Sequence, residues 1–393
     1  MIRLSRRDFV SEVTGGMVVA SLGASLATDL LASPVNADGP DSLTFGPLEP
    51  LVDLMQETPA DRLLPILATR LREGTDIRRL LTAAALANAR AFGGEDYIGF
   101  HTMMALSPAW HMAQELPDTQ KALPIFKVLY RNTSRIQANG GARAEVLHQV
   151  APGQLPEGRN GAELLRDYVR RRDVNQAERT FAALAQGRPE DAFNHLLLEV
   201  EDATEVHRVV LPYRAWDLLG IIGREQAHTL LRQSVRYCVR NENERYVESV
   251  GQVRTIIPRL LDRYRLPERA RGNRSAEDNW VEQMSMTIFR ATPERAADAV
   301  AAALAEGMAP AALGEAISLA ANQLVLRDRG RTAAQAQPNK PVGSVHGDSI
   351  GVHGCDSANA WRNMARISNP RNSVVCLLLG AYQVAQDRTN RGG

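Results

Sequence analysis

Three of the eight histidines in this 393-residue chain recur at matching distances. His101 lies in Phe100-His101-Thr102-Met103-Met104 and His228 in Ala227-His228-Thr229-Leu230-Leu231, 127 residues apart. His353, in Val352-His353-Gly354-Cys355-Asp356, follows 125 residues later. An aromatic residue trails each of them: Trp110, Tyr237 and Trp361. Neutral imidazole is a good ligand for iron, copper and zinc near neutral pH. Three imidazoles converging from equivalent helices would hold a metal and leave coordination positions open, as catalytic sites do. His207 and His346 are further ligand candidates. His346 stands seven residues, two helical turns, before His353. Asp348 and Asp356 are placed to accept a hydrogen bond from the second ring nitrogen of a neighbouring ligand. The plain alternative for any of these histidines is a satisfied core or capping residue.

Other residue types offer less. Only three lysines occur, Lys121, Lys127 and Lys340. Lys127 has apolar neighbours in Leu123-Pro124-Ile125-Phe126-Lys127-Val128-Leu129. Buried, its amine would lose basicity and serve as a catalytic base; the favoured alternative is an aliphatic stem lying along the surface with its charge in water. His195 and Glu199 are one turn apart, but Asp191, Glu199, Glu201, Asp202 and Glu205 make that stretch read as a solvated acidic face. Cys238, Cys355 and Cys376 are odd in number and form no CxxC pair, which favours buried free thiols over a disulfide framework. Trp110, Tyr237 and Trp361 are either pocket walls or core. No dinucleotide or P-loop glycine pattern, GxSxG elbow, HExxH or CxxCH occurs.

The elements that must position these residues are helices. Leu63, Leu64, Ile66, Leu67 and Leu71 make an apolar stripe of helical period. Pro59, Pro189, Pro293 and Pro370 stand at helix starts, where a missing N–H costs nothing. Period-two runs of β-branched residues are nearly absent. Residues 139–160 and 328–345 read as loops from their Gly and Pro content. The expected fold is all-α: divergent repeats of multi-helix units packed as one large helical domain over 58–393, with an internal triplication at 58–140, 188–270 and 292–393.

The first residues carry Ser5-Arg6-Arg7-Asp8-Phe9-Val10, an apolar Gly/Ala-rich stretch at 13–27, and small residues at Val35-Asn36-Ala37. That order reads as a twin-arginine signal peptide over 1–37, followed by an arm at 38–57. The expected partner is the twin-arginine translocase, and the expected location is periplasmic or otherwise extracytoplasmic. Basic and acidic residues balance at 46 against 45, so no global field favours nucleic acid. The apolar stretch is too short for a confident span, so no stable membrane span is expected after cleavage.

Phe100-His101-Thr102-Met103-Met104-Ala105-Leu106 and Val345-His346-Gly347-Asp348-Ser349, with His353 and Ala358-Asn359-Ala360-Trp361-Arg362, resemble the questin oxidase-like family. The matching pieces cover about a tenth of the chain. The resemblance implies a mostly helical oxygenase of aromatic molecules with a mononuclear non-haem iron held by several histidines and a carboxylated lysine. It would place His101, His207, His228, His346 and His353 as ligands and Lys127 as the lysine. The export signal departs from that pattern. The sequence therefore leads to an exported metal-dependent oxidoreductase for a small organic substrate, with iron first and copper or zinc as alternatives. A non-catalytic helical-repeat interaction module is the rival, and a metal storage or delivery protein a third reading.

Overall fold

The computed structural model describes residues 42–269, 271–344 and 350–390. The proposed signal peptide, residues 38–41 of the arm, His346 and Asp348 lie outside the described residues, and the described part of the arm carries the helix Glu49–Glu57. Seventeen α-helices occur among the described residues, and β-structure is limited to isolated bridges such as Ser42 with His148. The fold is all-α. No described helix is long and apolar enough to cross a membrane.

The helices run as α1 Glu49–Glu57, α2 Ala60–Arg72, α3 Ile77–Phe92, α4 Tyr97–Gln114, α5 Ala122–Ala138, α6 Gly161–Arg170, α7 Val174–Leu184, α8 Pro189–Val200 and α9 Val206–Ile222. They continue as α10 Ala227–Asn241, α11 Glu244–Val250, α12 Val253–Tyr264, α13 Asp278–Arg290, α14 Pro293–Ala305, α15 Pro310–Leu326, α16 Ile350–Ile367 and α17 Pro370–Asn390. Pro189, Pro293 and Pro370 each occupy the first helical position, as the sequence predicts, and the described residues of the two expected loops hold short 3₁₀ turns and isolated bridges but no α-helix.

Early helices pack on one another (α1 with α3, α4 with α5), as do late ones (α15 with α16, α16 with α17, α14 with α17). Helix α9 joins these groups. It packs on α4 from the first, on α10 beside it in sequence, and on α16 from the last. Its face toward them is apolar, with Val209, Leu211, Ala215, Leu218 and Leu219 all at most 1% exposed. Burying one such Val or Leu side chain is worth about 1.5–3 kcal/mol.

Polar locks fix the neighbours of α9. Asn88 on α3 donates to the Gly99 carbonyl at 2.8 Å and to Asn132 on α5 at 2.6 Å, and Thr102 on α4 also bonds Asn132. All three side chains are buried, so each needs these partners. Gly94, with φ +80°, makes the turn from α3 into α4. A Cβ there would stand 2.4 Å from the Gln233 carbonyl oxygen, so only glycine brings α10 this close. At the other end, Trp361 donates to Gln383 at 2.7 Å, and Gln383 donates to Ser357 at 2.8 Å, pinning α16 to α17.

The acidic stretch before α9 differs from its reading as a solvated face. Glu199 is 0% exposed, Asp202 1% and Glu201 9%. Arginines from other segments hold two of them: Arg170 pairs with Asp202 and Arg371 with Glu201. Local sequence shows the acids and not the cations that fold over them.

Candidate metal centre

Helix α9 begins at a cap that also reaches its first histidine. Glu205 is the N-cap residue. Its Oε1 accepts from the His207 backbone N–H and its Oε2 from the Arg208 backbone N–H, each at 3.0 Å. An N-cap carboxylate satisfies helix donors that would otherwise lack partners. The same carboxylate accepts from the His207 ring, Nδ1 to Oε1 at 2.6 Å, and from the Tyr237 hydroxyl at 2.8 Å. Burial alone would raise the Glu205 pKa. The bonds from His207 and the Arg208 N–H outweigh burial and hold it down at about 2.

Helix α4 is capped by Asp96, which accepts from Gly99 N at 2.7 Å and is itself held by Arg135 at 2.9 Å. One turn in, the His101 Nδ1 lies 2.5 Å from the Tyr97 carbonyl oxygen. A carbonyl and a carboxylate can only accept, so in both histidines Nδ1 carries the hydrogen. In the neutral ring that leaves the lone pair on Nε2. The two Nε2 atoms face each other at 3.3 Å.

Two lone pairs at that distance repel unless a cation lies between or beside them. A proton shared by the pair or a metal ion would relieve that repulsion. Zinc–nitrogen bonds of about 2.0–2.1 Å at a tetrahedral angle place two ligand nitrogens about 3.4 Å apart. A ligand histidine donating its other N–H to a carboxylate or backbone carbonyl is the usual support of such a site. His101 and His207 therefore have the donor chemistry and spacing of two ligands to one ion.

His353, buried on α16, has its ring centroid 5.7 Å from that of His207, and the His101 and His207 centroids are 4.9 Å apart. Tyr97 and Phe100 pack on the His101 ring, with centroids at 4.4 and 4.8 Å. Asp356, one turn beyond His353, is half-buried and faces Arg214, His101 and His207. Burial pushes its carboxyl pKa up, while Arg214 and the two imidazoles oppose the rise. Among the described residues, no three His, Cys, Asp or Glu side chains are gathered to hold a metal ion as they stand.

The structure thus brings together three of the five histidines singled out by sequence, one from each expected repeat. The middle member is His207 rather than His228. His228 lies at the far end of α10 from Tyr237, nine residues or about 13 Å along the axis. Its ring stacks on Phe181 with centroids 6.0 Å apart, beside Arg232 and Glu178. Its Nε2 is buried without a hydrogen-bond partner among the described residues. Burial first, and the Arg232 charge second, lower its pKa to about 4. Repeat spacing predicts the place of His228 along its helix but not the direction in which it points.

Lys127 is exposed on α5, in line with the favoured surface reading and not with a buried catalytic amine. Trp361 is core, and Trp110 lies partly buried under Arg78. Tyr237 supports Glu205 instead of forming a pocket wall. The cysteines are free thiols, with Cys238 and Cys376 buried. Glu205 is the functional residue that sequence reading missed, and its signal was an acidic residue two before a histidine at a helix start. In comparisons with known proteins, no family model, curated protein or solved structure matches this chain.

Proposed function

We propose that this chain is an exported metal-dependent oxidoreductase that holds one metal ion between His101 and His207, with His353 beside them, and acts on a small organic molecule. The observation that carries the reading is the pair of Nε2 atoms at 3.3 Å, each on a ring whose Nδ1 is committed to an acceptor. Local charge agrees with it, since the Glu205 carboxylate backs the His207 ring and Asp356 lies near both imidazoles. Iron is the first expectation, with copper and zinc behind it. Bound there with open positions, a redox metal would activate oxygen or polarise a substrate. His101 and His207 would hold it, Glu205 and the Tyr97 carbonyl would fix their rings, and Tyr237 would hold Glu205. The export signal at 1–37 supports assembly before translocation, since the twin-arginine route carries folded cargo.

The test is elemental analysis of the natively exported protein, followed by an oxygen-consumption screen. About one iron per chain, absent from folded His101→Ala and His207→Ala variants, is the expected result. The rival, a metal-free helical interaction module, draws on the absence of a ready three-ligand set among the described residues. A stably folded wild type that contains no metal and takes up none would establish that rival, and the two imidazoles would then share a proton.

A further inference from the structure

We infer that the chain carries a binding site for a short aliphatic carboxylate, in a cavity between α12, α14 and the start of α17. The cavity shares no residue with the candidate metal centre, and the inference does not rest on that reading.

The floor of the cavity is apolar. Leu261 on α12, Leu266 just beyond it, Leu304 on α14 and Val374 on α17 line a volume of about 50 Å³. An apolar cavity of about 150 Å³ admits benzene, so this one takes a chain of about two or three carbons.

The mouth is cationic. Arg269 and Arg271 stand there, and the acceptors that hold them are neutral. Arg269 donates from Nε to the Tyr264 carbonyl at 2.9 Å and from Nη1 to the Ala305 carbonyl at 2.8 Å. Arg271 donates from Nη2 to the Ser373 hydroxyl at 2.5 Å and to the Ala365 carbonyl at 3.2 Å. Among the described residues neither forms an ion pair, although Arg263 and Arg274 on either side of them pair with Asp298 and Glu306. Arg371, the third arginine at the mouth, is committed to Glu201 by bonds of 2.6 and 2.7 Å. Two guanidiniums without a counter-charge therefore share one opening. Each has five N–H donors in a fixed fork that matches a carboxylate, and the bonds above leave some of them free. Pro370, also at the mouth, begins the 21-residue α17, whose positive end adds to the same field.

The backbone that carries Arg271 is already fixed. The Arg274 N–H donates to the Gly307 carbonyl at 3.0 Å, and the Ala309 N–H donates to the Arg274 carbonyl at 2.9 Å. A Cβ at Gly272 would stand 2.4 Å from the Gly307 carbonyl oxygen, so only glycine permits this approach. Anchored donors lose little freedom when a ligand arrives, which favours binding. A carboxylate head with a tail of two or three carbons uses both the arginines and the floor. Phosphate would use the arginines alone, and a neutral amide of the same shape would use the floor alone.

Calorimetry on the full chain, with butyrate, acetate, butyramide and inorganic phosphate as probes, tests the assignment. Butyrate is expected to bind with a Kd of about 1 mM, the scale for a ligand of about six heavy atoms. Acetate, lacking two methylenes, should bind about 10-fold more weakly. Butyramide and phosphate should both bind more weakly than butyrate. Arg271→Gln should weaken butyrate by about 10–100-fold, the loss expected for charge-assisted hydrogen bonds. Val374→Phe, which fills the floor, should bring butyrate down to the affinity of acetate and leave acetate unchanged. Circular dichroism and thermal melting check that both variants fold. Equal binding of butyrate and butyramide, or wild-type affinity in folded Arg271→Gln, would overturn the inference. Phosphate bound as tightly as butyrate, with no gain from acetate to butyrate, would make this a general anion site and overturn the carboxylate assignment. An absence of butyrate binding to the wild type overturns it outright.

Discussion

His101 and His228 both sit near the start of a helix after a small or aromatic residue, and their surroundings differ in kind. His101 donates from Nδ1 to a backbone carbonyl and turns its Nε2 toward that of His207, whose Nδ1 is likewise committed to an acceptor. His228 is pressed against Phe181 beside Arg232, with Nε2 buried and unpartnered among the described residues. The first arrangement attracts a cation, and the second repels one. A nearby pair of glutamates repeats the contrast. Glu205 accepts four hydrogen bonds and is held at about 2, whereas Glu199 has no partner for either carboxyl oxygen and burial pushes it up to about 8. Residue type is shared within each pair. Hydrogen-bond donors and neighbouring charges decide which member stays ionised and which can bind.

The largest effect should come from deleting the rings one at a time. His101→Ala and His207→Ala are expected to abolish metal binding, and His228→Ala to leave it intact, with metal content measured by elemental analysis. Metal lost from a folded His228→Ala protein would erase the distinction between the two histidines.

Glu205→Ala comes next. It removes a helix cap, worth about 1 kcal/mol. It also strands the Tyr237 hydroxyl and the His207 Nδ1–H, at about 1–3 kcal/mol for each buried group. A total loss of about 3–7 kcal/mol in urea unfolding is expected, with metal affinity down about 10–100-fold. The pH dependence has a defined sign. The Glu205 carboxyl lies lower in the folded chain than its ordinary 4.5, so its contribution is complete above that value and is lost as pH falls toward 2. The variant should lack that acid-side decline.

His228 should act oppositely to a paired histidine. Its folded pKa of about 4 lies below the ordinary 6.5, so the fold favours the neutral ring. Stability is complete above 6.5 and falls by about 3 kcal/mol as pH drops to 4, where the loss levels off. His228→Gln should flatten unfolding free energy across that window. An unchanged slope would mean that the ring is not confined as the structure places it.

The smallest of these effects concerns Glu199. Its carboxyl is raised from 4.5 to about 8, so the fold favours the protonated form and loses stability as pH rises across that interval. Glu199→Gln should stabilise the chain by about 1–3 kcal/mol at pH 8 and by less at pH 5, read from thermal and urea midpoints. A destabilised variant at pH 8 would show that the carboxylate has partners, such as internal water, that satisfy it.

Much of the architecture was legible locally. The stripe through Leu63 and Leu67, the prolines at 189, 293 and 370, and the glycine-rich loops mark helices and their ends, because period and capping are properties of a few consecutive residues. His101 and His353 were legible as site candidates by their spacing, and His207 by its place on the preceding helix of its unit. The role of Glu205 was hidden in an acidic run that looks solvated, and the burial of Glu199 was hidden with it. Both depend on arginines and tyrosines that arrive from elsewhere in the chain.

The amino-acid sequence by itself determined that this protein is helical, where most helices begin, and which side chains have the chemistry to bind a metal. The tertiary structure alone decided that His207, and not His228, meets His101, and that Lys127 faces water. Helix formation is settled by contacts three and four residues apart. The direction of a side chain toward a site is settled by how α4, α9 and α16 cross, and that depends on buried contacts between residues more than a hundred positions apart.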